Sequence, residues 1–175
     1  MSYKTIVVRL LVAVLVGGLL GYEREHEDSP AGFRTNILVC LGAAIISLIS
    51  ESDLKAAMEL AKNSAYQGII KVDMGRLGAQ VVSGIGFLGA GTILRDKGSI
   101  RGLTTAATLW LDACLGLAVG QGLYSLAITG AVIVVITLSL LKRADKVINK
   151  RKRKAKKEEK ERSDLSLYSD DDEDD

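Results

Sequence analysis

The sequence predicts an all-α integral membrane protein with about five transmembrane helices, a glycine-rich third helix prone to break, and a disordered charged C-terminal tail. Two observations carry that prediction. The chain has 175 residues, 48% apolar and 25% charged, and its mean hydropathy of +0.23 is ordinary only because two unlike regions are averaged. Residues 142–175 hold 12 Lys+Arg and 11 Asp+Glu, about half of all the charge. The second observation follows from the first. Uncharged stretches run from Leu10 to Tyr22, Thr35 to Ser50, Leu77 to Leu94 and Ala113 to Leu141, and a water-soluble domain of this size has little use for them.

A helix crossing the hydrocarbon needs about 20 mostly apolar residues, within a range of roughly 17 to 25. Five segments qualify, and together they make residues 1–141 a polytopic membrane domain, with 142–175 a basic then acidic tail. Span 6–22 carries Arg9 one turn inside. It precedes Glu23-Arg24-Glu25 without a small-x-small cleavage pattern, so it reads as a retained span rather than a secretory signal. Span 33–49 is opened by Arg34, span 77–94 is rich in glycine, span 103–119 contains Asp112, and span 123–141 has no charge at all. Cys40 and Cys114 lie inside apolar spans and far apart, which favours buried free thiols over a disulfide or metal pair.

Cationic loops are retained on the cytoplasmic side. Lys142, Arg143, Lys146 and the run from Lys150 to Lys154 follow the last span directly, which places the C-terminus inside and, with five spans, the N-terminus outside. The loop 51–76, with Lys55, Lys62, Lys71 and Arg76, runs against this assignment. Within it Leu54, Ala57, Met58, Ala61 and Ala65 fall at helical spacing, which predicts an amphipathic helix lying on the surface. The tail is too poor in apolar residues to offset its ordering entropy. Its basic block reads as a contact for anionic lipid. No nucleic-acid binding is expected, because neither an aromatic platform nor a recognition motif accompanies the basic residues.

Gly84, Gly86 and Gly89 fit the G-x-G-x-x-G spacing of a dinucleotide site, with Asp112 beyond. The alternating strands and helices that such a site needs are missing, so close helix packing is the better account. Lipid supplies no hydrophobic drive between spans, and small residues let backbones approach for dispersion contacts. Gly17 with Gly21, Gly116 with Gly120, and the set Gly84, Gly86, Gly89 and Gly91 are the expected packing positions. Four glycines in one span weaken it as a helix, and a break would need protein or a wet cavity around the freed backbone.

Three blocks now carry a resemblance. Arg24 followed by Ser29-Pro30-Ala31-Gly32-Phe33-Arg34-Thr35-Asn36, then Arg76 with the run from Ala79 to Gly91, then the run from Arg101 to Trp110, together resemble the membrane domain of the MgtC/SapB family over roughly residues 5–141. The resemblance implies a bacterial multi-pass plasma-membrane protein tied to magnesium limitation, to survival inside host cells and so to virulence, or to no assigned role. It implies neither a settled transport activity nor an enzyme reaction. Longer family members add a folded cytoplasmic domain where this chain has its charged tail, and the loop 50–75 is longer than usual.

The polar residues divide into candidates for an ion pathway and candidates for structure. Asp112 lies about 13 Å into its span by helix rise, near the bilayer midplane. An ionised carboxylate there is costly, so it is either an ion or proton site or a packed neutral acid. Arg9 is expected to reach the headgroups rather than pair with Asp112. Glu23, Arg24, Glu25 and Arg34 meet across one short loop, which suits ion pairs fixing a hairpin. Carried over from the family motif, Arg24, Arg34, Arg95 and Arg101 would instead line an inward-facing vestibule with Glu23 and Glu25, and Gln80, Ser83, Thr104 and Thr105 would supply neutral ligands there. Thr104 and Thr105 also suit capping of a helix start. His26, with no Cys or second His near it, does not read as a metal ligand. No cofactor, bound metal or set of nucleophile, base and orienting group is expected.

Two functions remain open. One is a non-catalytic regulator or interaction protein linked to magnesium or ion homeostasis and stress, docking a second copy of itself as a dimer or another membrane complex. The other is a small transporter or channel for an ion or small solute, built on the third span and Asp112.

Overall fold

The computed structural model describes residues 1–27, 29–63, 72–73, 75–96 and 99–142. The elements are α1 (Tyr3–Glu25), α2 (Phe33–Leu60), α3 (Arg76–Thr92), β1 (Leu94–Asp96), β2 (Ser99–Arg101), α4 (Leu103–Gly120) and α5 (Tyr124–Lys142). The five expected spans are all helical, and α1, α2, α4 and α5 are long and apolar enough to cross a membrane. Met1–Val135 form one compact unit; a second begins at Ile136, and its described residues are the end of α5. The charged tail lies outside the described residues.

Close contacts at glycines set the helix directions. Gly17 lies against Asn36, Ile37 and Cys40, and Gly21 against Phe33, so α1 and α2 are antiparallel. Gly116 meets Cys40 and Ala43, while Gly120 meets Ala44 and Ser47, so α2 and α4 run parallel. Gly89 abuts Ala106 and Gly78 approaches Leu117, which makes α3 antiparallel to α4. The core of the bundle joins Ala13, Val16 and Leu20 of α1, Cys40 and Ala44 of α2, Leu115 and Val119 of α4, and Ala127 and Ala131 of α5. α3 packs chiefly on α4 and only lightly on α2.

Three features depart from the sequence reading. The third helix is not broken: Arg76–Thr92 is continuous. Each glycine costs about 1 kcal/mol of helix propensity relative to Ala, but at membrane depth a freed backbone group finds no substitute partner, and an intact ladder wins. The surface helix expected after residue 50 is instead the continuation of α2 through Leu60. No glycine or proline interrupts that stretch, and an i,i+4 ion pair between Glu51 and Lys55 supports it. Ala65, the last expected position of that surface helix, lies outside the described residues.

The third departure is the link between α3 and α4, which is an antiparallel ribbon pairing Leu94 with Arg101, Arg95 with Ile100 and Asp96 with Ser99. It feeds α4 through Gly102 at φ +88°, a left-handed conformation in which an added Cβ would collide with the Thr92 carbonyl. Gly102 is therefore the N-cap of α4 and no side chain caps that helix. Thr104 and Thr105 do not fill the capping role their sequence position suggests.

Candidate functional site

On α4, Thr105, Thr108 and Asp112 recur at i, i+3 and i+7, a single helical stripe, and all three are buried. The stripe faces the seam where α1, α2 and α4 meet. Glycine makes that seam tight: on Gly17 a Cβ would come within 2.8 Å of the Asn36 carbonyl and of Cys40, and on Gly116 it would run into the Cys40 backbone. Cys40 is thus gripped from both sides. Asp112, one turn before Gly116, lies beside its thiol.

Each polar group in this interior has a distinct standing. Thr105 shares a hydrogen bond of 2.9 Å with Ser29, tying the start of α4 to the α1–α2 loop. Thr108 donates back to the Thr104 carbonyl at 2.8 Å. Asn36 donates through Nδ2 to the Gly32 carbonyl at 2.8 Å and to the Ala31 carbonyl at 3.2 Å, which satisfies backbone at the entry of α2. Asp112 is 0% exposed, and its carboxyl lies against the Cys40 thiol, with no cation paired to it among the described residues.

Charged side chains stand at both ends of the seam. At one end Arg24, itself buried, pairs with Glu23 at 3.4 Å. Glu25 accepts the Phe33 N–H at 2.8 Å and so serves the free amides at the start of α2. It occupies the space that a side chain at position 32 would need, which explains Gly32. At the other end Arg9 pairs with Glu51 and donates to the Gly120 carbonyl at 2.7 Å. Arg9 therefore neither snorkels free nor reaches Asp112: it staples α1 to Glu51, nine residues before the end of α2, and to the last carbonyl of α4. Gly122, at φ +81°, turns the chain into α5 just beside that guanidinium.

The remaining sequence candidates are scattered. Arg34 is exposed and, with Glu25 and His26, borders a surface hollow of about 690 Å³. Arg95 and Arg101 are exposed on the ribbon, and Gln80, Ser83 and Thr104 are exposed on their helices. No contact brings Arg34, Arg95 and Arg101 to Arg24 among the described residues. The glycines also divide. Gly17, Gly21, Gly89, Gly116 and Gly120 lie against other helices, whereas a Cβ on Gly84, Gly86 or Gly91 would meet no described atom within 4 Å. Sequence reasoning gave no role to Asn36, Ser47, Thr108 or the Arg9–Glu51 pair. The i, i+3, i+7 spacing of 105, 108 and 112 was the available signal for Thr108. Among the described residues no three His, Cys, Asp or Glu side chains are grouped to hold a metal ion.

The profile of the MgtC family matches residues 10–147. The chain belongs to the MgtC family. Protein MgtC of Salmonella typhimurium (strain LT2) is 41% identical over 143 residues, covering 82% of this chain and 55% of that protein. YhiD of Escherichia coli (strain K12), whose name provisionally makes it a magnesium transporter, is 36% identical over 134 residues, covering 77% of this chain and 59% of its own length. The uncharacterized protein slr0014 of Synechocystis is 38% identical over 152 residues, covering 85% and 57%. This MgtC-family chain therefore spans somewhat over half the length of these relatives. No solved structure matches it. The matched region begins one residue after Arg9, and Asp112, Cys40 and their glycine neighbours lie within it.

Proposed function

We propose that this MgtC-family chain is a non-enzymatic regulator in the bacterial plasma membrane, linked to magnesium or ion homeostasis under stress, which acts by docking a second copy of itself or another membrane complex. The observation that carries this reading is the closure of the seam: Asp112 is fully buried, glycine contacts bring α1 and α4 against α2, and Arg9, paired with Glu51 and bonded to the Gly120 carbonyl, ties one end. The open faces lie elsewhere, on α3, where Phe87 is 87% exposed beside glycines free of intramolecular contact. The flanking cations of the sequence support an outside N-terminus and a cytoplasmic C-terminus.

Transport is the second reading, favoured by the fully buried carboxyl of Asp112 within an apolar helix and by the name of the YhiD relative. Purified protein in proteoliposomes separates the two. The regulatory reading expects no protein-dependent flux of Mg²⁺, Na⁺, K⁺ or H⁺. A flux that is present in the wild type and vanishes in Asp112→Asn overturns it in favour of a transporter.

A further inference from the structure

Where α1 ends and α2 begins, two opposite charges line one hollow without pairing. The hollow, of about 690 Å³, is bordered by Tyr22, Glu25 and His26 of the α1 end and by Phe33, Arg34 and Thr35 of the first turn of α2. Sites for small molecules span roughly 300–1,000 Å³. Among its described lining residues there is one acid, Glu25, and one base, Arg34. Arg24 is taken by Glu23, and no ion pair among the described residues engages Glu25 or Arg34.

The donors and acceptors divide in the same way. Glu25 accepts the Phe33 N–H through Oε2, and a carboxylate with one such bond keeps acceptor sites on its other oxygen. His26 Nδ1 lies 3.0 Å from the Tyr22 carbonyl. A carbonyl only accepts, so Nδ1 carries the hydrogen and Nε2 of the neutral ring is an acceptor. Arg34 and the Thr35 hydroxyl are donors, and a guanidinium suits a phosphate in particular. The depth points to lipid. Tyr22 closes the uncharged stretch of α1 and Thr35 opens that of α2. Glu25 stands three residues past Tyr22, about 4.5 Å by helix rise, inside a headgroup layer about 5–7 Å deep on each side of the hydrocarbon. Tyr22 and Phe33 are exposed rings at the same level, as suits the membrane interface.

We infer that this hollow binds the head of one phosphatidylethanolamine molecule, its phosphate on Arg34 and the Thr35 hydroxyl and its ammonium on Glu25 and His26. A zwitterion meets both unpaired charges at once. Phosphatidylglycerol would satisfy Arg34 and set a phosphate against Glu25 with no ammonium between them. Phosphatidylcholine has the right charges, but its quaternary ammonium has no N–H to offer the two acceptors.

The test is native mass spectrometry of the full chain released from nanodiscs of equal parts phosphatidylethanolamine, phosphatidylcholine and phosphatidylglycerol. The wild type is expected to retain one lipid per chain, chiefly phosphatidylethanolamine, and soluble phosphoethanolamine is expected not to displace it. Arg34 is exposed, so Arg34→Ala leaves the bundle contacts in place, and retention is expected to fall about tenfold, the equivalent of about 1.4 kcal/mol. Glu25→Gln still offers an oxygen to the Phe33 N–H but removes the charge, and it is expected to turn the preference toward phosphatidylglycerol. That reversal is a change that a purely structural role for Glu25 would not produce. Arg95→Ala removes an exposed arginine from the ribbon and is expected to behave as the wild type. The inference is overturned if the wild type retains no lipid or all three equally, if soluble phosphoethanolamine displaces the lipid, or if Arg34→Ala retains it unchanged. It is equally overturned if Arg95→Ala loses as much or if Glu25→Gln keeps the wild-type preference.

Discussion

The α2–α4 and α2–α3 seams use the same residue to opposite ends. At Gly116 and Gly120 the missing side chain lets α4 touch the backbone of α2. At Gly42 and Gly84 the missing side chain leaves an empty groove. Small residues in membrane helices permit close approach without enforcing it. What decides the outcome is whether other side chains hold the helices apart or together. Along α2–α4 the flanking residues are themselves small, Ala43, Ala44 and Ser47. Along α2–α3 they include Leu38, Ile85 and Leu88, which line the gap.

A matched pair of substitutions tests that contrast directly. Gly116→Ala drives a Cβ into the Cys40 backbone, which cannot rotate away, and is expected to destabilise the bundle by about 1–3 kcal/mol, read as a lowered unfolding midpoint in detergent. An unchanged midpoint would show that the seam is looser than its contacts imply. Arg9→Ala comes next. It strips the Gly120 carbonyl of its side-chain donor and leaves Glu51 with Lys55 alone, at an expected cost of about 1–2 kcal/mol. If the effect is confined to that end, cysteine accessibility at Cys40 stays as in the wild type. The smallest effect has the opposite sign: Gly84→Ala meets no neighbour and improves helix propensity, so stability is expected to rise by up to about 1 kcal/mol. A loss there would mean that α3 packs against something at that face.

Much of the fold was legible because lipid imposes a simple demand: a span must be long, apolar and fully hydrogen-bonded within itself. That demand marked four of the five helices within a few residues, and the start of α2. It could not mark where α2 ends, since beyond Ile49 the chain returns to water and ordinary helix propensity takes over, with Glu51 and Lys55 extending a helix the hydrophobic pattern had finished. Nor could it foresee the ribbon of 94–96 with 99–101, which feeds α4 through the positive φ of Gly102. The site was half legible. Asp112 stands out in any apolar span, but that Cys40 faces it, and that Thr105 reaches Ser29 rather than capping its own helix, depends on which helices adjoin. A small-x-x-x-small step names a helix face and not its neighbour, so Gly17 with Gly21 and Gly86 with Ala90 look alike in the sequence and differ in the fold.

The parallel arrangement of α2 and α4 carries a consequence for biosynthesis. Parallel neighbours cannot be consecutive, so α3 must return across the bilayer before α4 can reach its place. A chain made from its N-terminus inserts the α1–α2 hairpin first, with Gly17 and Gly21 already seated, while the α2 surface that will receive Gly116 and Gly120 still lies against lipid with the Ser47 hydroxyl on it. The nascent protein is least protected in that interval, and the arrival of the fourth helix is the step that commits it to its final form.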